Sequence, residues 1–173
     1  CYWVEEAYGG LGLADFRYDQ LMYEEVTRSH ETGLWMGALN RNSPPYIAKY
    51  GTEAQKHHFL PKLVSGEMIC AIAMTEPDAG SDAANISTSA TRRDGCFVLN
   101  GSKVFITNGD IAGTLLVFAT QDRSQRHRGV VALIVETGSP GLEQRKQHDK
   151  LGMRASTTAE VVFRDTPVPD ENL

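Results

Sequence analysis

Apolar residues recur at helical spacing through the first third of the chain: Leu21, Met22 and Val26, then Leu34, Trp35, Ala38 and Leu39. Asp15 stands where it can cap the first of these helices, and Gly9, Gly10 and Gly12 form a flexible turn ahead of it. Pro44 and Pro45 suit the first turn of a short helix carrying Tyr46, Ile47 and Tyr50, which Gly51 ends. Thr52-Glu53-Ala54-Gln55 reads as a capping box, in which the Thr hydroxyl and the Gln side chain each satisfy a free amide. Pro61 is expected to break that helix, leaving a brief turn that ends near Gly66.

Beyond Gly66 the period shortens to that of strands. Met68–Met74 is a short apolar run between turn residues. Cys96–Leu99 and Ser102–Thr107 flank Asn100-Gly101, a two-residue hairpin signal because both residues tolerate positive φ. Further strands are expected at Leu115–Thr120, Val130–Val135 and Ala159–Phe163. Asp94-Gly95, Asn108-Gly109, Arg128-Gly129 and Pro140-Gly141 punctuate them at the intervals of an antiparallel sandwich or barrel. No βαβ alternation and no repeat is visible. The pattern predicts an α+β fold: helices over residues 1–65, followed by an antiparallel β-sandwich or barrel over residues 66–173.

Composition narrows the function classes. Hydrophobic residues at 41% and charged residues at 23% are the balance of a globular protein, and a net charge of -5 gives no reason to expect nucleic acid. The basic run Arg123–Arg128 reads as a solvated loop. Three widely spaced cysteines, Cys1, Cys70 and Cys96, offer neither a zinc ribbon nor a disulfide framework, and point to reduced thiols in an intracellular setting. No apolar run approaches the ~20 residues of a transmembrane helix. The opening Cys1-Tyr2-Trp3-Val4 without an initiator Met, and the linker-like Pro167–Leu173, lead us to expect an internal fragment.

Two segments carry candidate chemistry. In Ala71–Asp82 a buried strand opens into a loop holding a proline, a glycine, hydroxyls and carboxylates. Alternation puts Ala73 and Thr75 on one face, so a small side chain that lets a flat ring approach lies beside a hydroxyl that can bond a ring heteroatom. Gly80 and Ser81 can present amides and a hydroxyl to a phosphate. In Asn100–Gly109, Phe105 and Thr107 are expected to share a face opposite Val104 and Ile106, again an aromatic beside a hydroxyl. Taken singly, each segment reads as an ordinary strand-ending turn or half-exposed hairpin strand.

In this order and spacing the two segments resemble the acyl-CoA dehydrogenase family. Residues 73–82 fit its first signature, small-apolar-Thr/Ser-Glu-x-x-small-Gly-Ser/Thr-Asp, throughout. Phe105-Ile106-Thr107-Asn108-Gly109 meets its aromatic-Ile-Thr/Ser-Asn-Gly element. Tyr8–Gly12 and Tyr50–Lys56 look like the family's N-terminal helical domain, and Leu151–Ser156, Phe163–Asp165 and Val168-Pro169 like the exit from its β-domain. One departure is Asn85, where the family has a small residue three positions after the motif's Asp.

The resemblance implies a chain holding the end of the helical domain (1–65) and the flavin-binding middle β-domain (66–173), truncated relative to the family. It implies FAD as cofactor, with Met74 and Thr75 at the flavin ring edge, Gly80 and Ser81 near the pyrophosphate, and Phe105, Ile106 and Thr107 packing on the isoalloxazine. Ser81 and Gln121 would meet the coenzyme A substrate. The implied activity is α,β-dehydrogenation of an acyl-CoA thioester in fatty acid β-oxidation, with electrons passing to an electron-transfer flavoprotein. It further implies a dimeric or tetrameric protein of the bacterial cytoplasm or mitochondrial matrix. Acyl-CoA oxidases, nitroalkane oxidases and flavin monooxygenases of the same superfamily are an alternative, as is a non-catalytic truncation. No catalytic base is expected within the chain, because family members supply it from a C-terminal helical domain. Glu76 reads as a loop carboxylate bonded to neighbouring amides, and His57-His58 as a solvent-facing pair and not a metal site. Gly37 and Ala38, in the segment corresponding to the acyl-tail pocket, favour medium or long chains unless Trp35 closes it.

Overall fold

The computed structural model describes residues 1–31, 33 and 41–173. The helical positions expected at Leu34, Trp35, Ala38 and Leu39, and with them the acyl-tail reading of Gly37, lie outside the described residues. The chain divides into two compact units, Cys1–Cys70 with Asp149–Ser156 and Ala71–His148 with Thr157–Leu173.

The first unit is helical. Helix α1 (Arg17–Ser29) follows Asp15, whose carboxylate accepts the Arg17 amide at 2.9 Å. The buried residue of α1 is Asp19, an expensive group to desolvate unless compensated. Compensation comes from Arg41 Nε, at 3.0 and 2.9 Å from its two oxygens, and from the Tyr2 hydroxyl. Burial and the adjacent Asp19 carboxylate push the Tyr2 phenol up to about 12. Helix α2 (Pro44–Tyr50) begins on its prolines, and α3 (Glu53–Ser65) opens on the expected capping box: Gln55 N donates to Thr52 Oγ1 at 3.2 Å and Thr52 N to Gln55 Oε1 at 2.8 Å. Contrary to expectation α3 runs through Pro61 and stops only at Gly66, which is left-handed at φ 82. Proline already has a helical φ and here removes a single hydrogen bond on an exposed face, while Phe59, Leu60 and Leu63 are buried on the other.

The second unit is built on one curled sheet. Its strands among the described residues are β1 (Cys70–Ala73), β2 (Ser89–Arg93), β3 (Cys96–Thr107), β4 (Thr114–Thr120), β5 (Val130–Glu136), β6 (Leu142–Lys146) and β7 (Thr158–Pro169). Their order is β1-β4-β2-β3-β7-β6, with β5 also on β4. The expected antiparallel pattern holds for β2–β3, β3–β7, β4–β5 and β6–β7, but β2 and β4 meet in parallel at Ser89↔Thr120, so the sheet is mixed.

Asn100-Gly101 is not the hairpin. The turn is Asp94-Gly95, with φ of 48 and 81 and the two-residue geometry that matches strand twist. Strand β3 continues through Asn100-Gly101 with a register shift against β7 between Leu99 and Gly101. There the Asn100 side chain exchanges two hydrogen bonds with Asp165, at 3.0 and 2.9 Å. A Cβ on Gly101 would lie 2.6 Å from Thr88 Oγ1, so this glycine serves a bulge and a close approach. The core gathers Ala71, Ala73, Phe97, Leu99, Leu115, Val117, Leu133, Val135, Val161 and Phe163.

Candidate functional site

The two motifs meet at one place in the sheet. Just beyond β1, the Thr75 carbonyl accepts the Val104 amide of β3 at 2.9 Å. Lys103 Nζ donates to the Met74 carbonyl at 3.0 Å and to Glu76 Oε1 at 2.8 Å. The Glu76 carboxylate also accepts Ser87 N at 2.6 Å, Ser87 Oγ at 2.7 Å and Thr88 N at 2.9 Å. Lys103 is fully buried and Glu76 only 4% exposed. Burial by itself would raise the Glu76 carboxyl, but the hydrogen bonds from Lys103, Ser87 and Thr88 outweigh it and hold the group at about 2. Burial pulls the Lys103 ammonium below its ordinary value, against the raising influence of Glu76.

Beyond Lys103 the strand departs from simple alternation. Pairing with β7 slips between Lys103 and Ile106, and Phe105 sits in the left-handed region at φ 59. The expected face shared by Phe105 and Thr107, opposite Val104 and Ile106, is therefore rearranged. The Phe105 ring is 68% exposed, Ile106 turns into the core at 3%, and Thr107 is half-buried. A large aromatic held at positive φ with its ring in solvent is a local cost of the kind that clusters at ligand sites.

Met74 and Thr75 are half-buried. The Thr75 and Thr107 hydroxyls have no hydrogen-bond partner among the described residues. Gly80 and Ser81 are exposed, and a Cβ at Gly80 would meet nothing within 4 Å. Next to them the basic loop is solvated as expected, yet tethered: Arg126 pairs with Asp82 at 3.2 Å, and Arg123 donates to Asn85 Oδ1 at 3.2 Å. Gln121 is exposed, its amide bonded to the Gly129 carbonyl at 2.9 Å. The structure thus brings Met74, Thr75 and the Phe105 bulge together, while Gly80, Ser81 and Gln121 stand on exposed loops. An open depression of about 280 Å³ is lined by Val104, Phe105, Arg145, Lys146, Gln147, Ala159 and Glu160; of the expected residues only Phe105 borders it. His57 and His58 are exposed, and no group of three His, Cys, Asp or Glu able to hold a metal occurs among the described residues.

Lys103 is the residue that sequence reasoning missed. The signal was present: Phe97 and Leu99 point inward, and carrying their alternation through Gly101 puts Lys103 on the same inner face, where only a paired charge is tolerated. A turn read at Asn100-Gly101 interrupts that count.

An exposed aromatic beside two uncommitted hydroxyls is a donor set that fits a flat heteroaromatic ring. The model of the acyl-CoA dehydrogenase middle domain matches residues 71–166, and that of the N-terminal domain residues 1–67. The chain is 44% identical over 171 residues to a mitochondrial isovaleryl-CoA dehydrogenase of Solanum tuberosum, covering 98% of this chain and 41% of that protein. It superimposes with a TM-score of 0.94 and 46% identity on an acyl-CoA dehydrogenase from Geobacillus kaustophilus, covering 100% of this chain and 46% of the other. A glutaryl-CoA dehydrogenase from Mycobacterium smegmatis, solved in complex with FADH2, matches at 38% identity and a TM-score of 0.68 over 73% of this chain and 31% of its own. The chain belongs to the acyl-CoA dehydrogenase family. It spans less than half the length of these relatives.

Proposed function

We propose that this chain supplies the flavin-facing wall of an FAD-dependent acyl-CoA dehydrogenase, with residues 1–65 ending its helical domain and residues 66–173 forming its flavin-binding β-domain. The observation that carries the reading is the junction of the two motifs at Thr75 and Val104, with the Phe105 ring exposed and the hydroxyls of Thr75 and Thr107 uncommitted. Bound FAD would accept the hydride that leaves the substrate's β-carbon. Thr75 and Thr107 would orient the ring by hydrogen bonds, Phe105 would cover one face, and Met74 and Ile106 would contribute through their main chain. Gly80 and Ser81 would serve phosphate groups, and Ser81 and Gln121 the coenzyme A arm of an acyl-CoA thioester. The electron acceptor would be an electron-transfer flavoprotein, and the whole protein a homo-oligomer of the bacterial cytoplasm or mitochondrial matrix.

Glu76 is excluded from the role of base by its surroundings. A carboxylate held near 2, buried and accepting from three residues, has neither the basicity nor the access to take a substrate proton. We assign no residue of the chain to that step.

The test is flavin binding. Thr75→Val and Thr107→Val remove one hydroxyl each at nearly constant volume, and each should weaken FAD affinity or shift the flavin potential, about 1 kcal/mol being typical of one hydrogen bond. Affinity and potential unchanged in both variants would overturn the assignment.

A further inference from the structure

Among the described residues Lys103 is the only lysine or arginine that is buried, and it lies at the crossing of three chain segments. Its ammonium holds the Met74 carbonyl and the Glu76 carboxylate; Glu76 in turn gathers the Ser87 and Thr88 amides. The Thr88 carbonyl then accepts Thr120 N of β4 at 2.8 Å. Replacing a buried ion pair by apolar side chains of similar volume is often neutral or stabilising, so stability alone is a poor reason for keeping one, whereas fixing a register is a well-attested one.

Register is at stake in β3. Lys103 pairs with Val161 as the last regular position before the bulge, and Ile106 resumes pairing with Ala159. With Lys103 and Ile106 both inward, the two intervening residues must bulge, which turns Phe105 out. A slip of one position would carry the lysine away from Glu76 and exchange the faces of the whole segment. Only the observed register satisfies the carboxylate, the Met74 carbonyl and the Thr75–Val104 bond together.

We propose that Lys103 and Glu76 are positioning residues: they clamp the Met74–Glu76 loop to β3 and thereby fix the bulge that presents Phe105 and the Thr75 hydroxyl. The flavin reading enters only through the ligand that this surface receives; the clamp itself stands on the geometry.

The experiment uses Lys103→Met and the doubly neutral Glu76→Gln/Lys103→Met in the 173-residue chain. Amide hydrogen exchange is followed at Thr88, Val104 and Phe105, against Leu116 and Ile134 across β4–β5, alongside a fluorescence titration with FAD. Positioning predicts exchange at Val104 and Phe105 faster by roughly tenfold or more in both variants, with β4–β5 at wild-type rates. It also predicts FAD affinity weaker by roughly tenfold in both variants, including the charge-balanced one, because the charge balance is restored but the clamp is not. Wild-type exchange at the bulge, acceleration spread evenly over the sheet, or loss of the cooperative fold in both variants would each overturn the proposal. If the wild-type chain takes up no FAD, the flavin reading fails while the exchange measurements still decide the clamp.

Discussion

Acid should unlock the β unit through Glu76, and the size of the effect follows from its surroundings. The carboxyl titrates near an ordinary 4.5 in the unfolded chain and at about 2 in the folded one. A folded value below the unfolded one adds stability that is fully present above 4.5 and is lost as the pH falls towards 2. The whole difference is worth about 3 kcal/mol at neutral pH, of which about 2 kcal/mol should be gone by pH 3. Deleting one member of a buried pair independently leads to a cost of about 3–5 kcal/mol. Other carboxylates, Asp19 and Glu143 among them, are also held below their ordinary values by neighbouring arginines, so wild type must be compared with Glu76→Gln. Urea unfolding of both at pH 7, 5, 4 and 3 should give a stability gap of about 3 kcal/mol at neutral pH that closes to about 1 kcal/mol at pH 3. A gap that stays constant with pH would refute the reasoning, since the variant would then act through shape and not through the charge.

Four further outcomes can be checked. Leu133→Ala, at a fully buried core position on β5 opposite Val117 of β4, should cost about 2–5 kcal/mol in urea unfolding. Gly141→Ala should lower the melting temperature, because φ is +75 there and the new Cβ would lie 1.9 Å from the Arg164 carbonyl oxygen. Thr52→Ala removes the hydroxyl of the α3 capping box and should cost about 1 kcal/mol, seen as lower helicity and an earlier unfolding midpoint. The 173-residue chain with added FAD should leave the flavin absorbance near ~450 nm unbleached when acyl-CoA is titrated anaerobically, since positioned proton abstraction contributes roughly 10²–10⁴-fold and no base is assigned within it; rapid bleaching would show that one is present.

Much of the architecture was legible because local chemistry and burial agree. The capping box at Thr52, the prolines of α2 and the apolar runs of β4 and β5 each carry their own physical signal. Strands β2 (Ser-Ala-Thr-Arg-Arg) and β6 (Leu-Glu-Gln-Arg-Lys) went unread because little of either is buried. β6 lies at the end of the sheet order and is dressed with Arg145–Glu143, Arg145–Glu160 and Arg164–Glu143 pairs, as exposed edges are. The site was half legible. Residue types marked the Phe105 segment as candidate chemistry, but a bulge is invisible to a period of two, so the partition of Phe105, Ile106 and Thr107 between faces came only with the structure.

Strand β7 has a consequence for how the molecule is made. It lies between β3 and β6, and it pairs Cys96 with Pro169 at its far end. On a ribosome adding about 5–20 residues per second, the interval between those two residues lasts on the order of 4–15 seconds. Until β7 follows, β3 offers an unclosed ladder bearing Phe97 and Leu99, and β6, once made, has no neighbour to join. A nascent chain in that condition exposes an unpaired strand edge and apolar side chains open to misassociation, and pauses in translation between β3 and β7 lengthen the hazard.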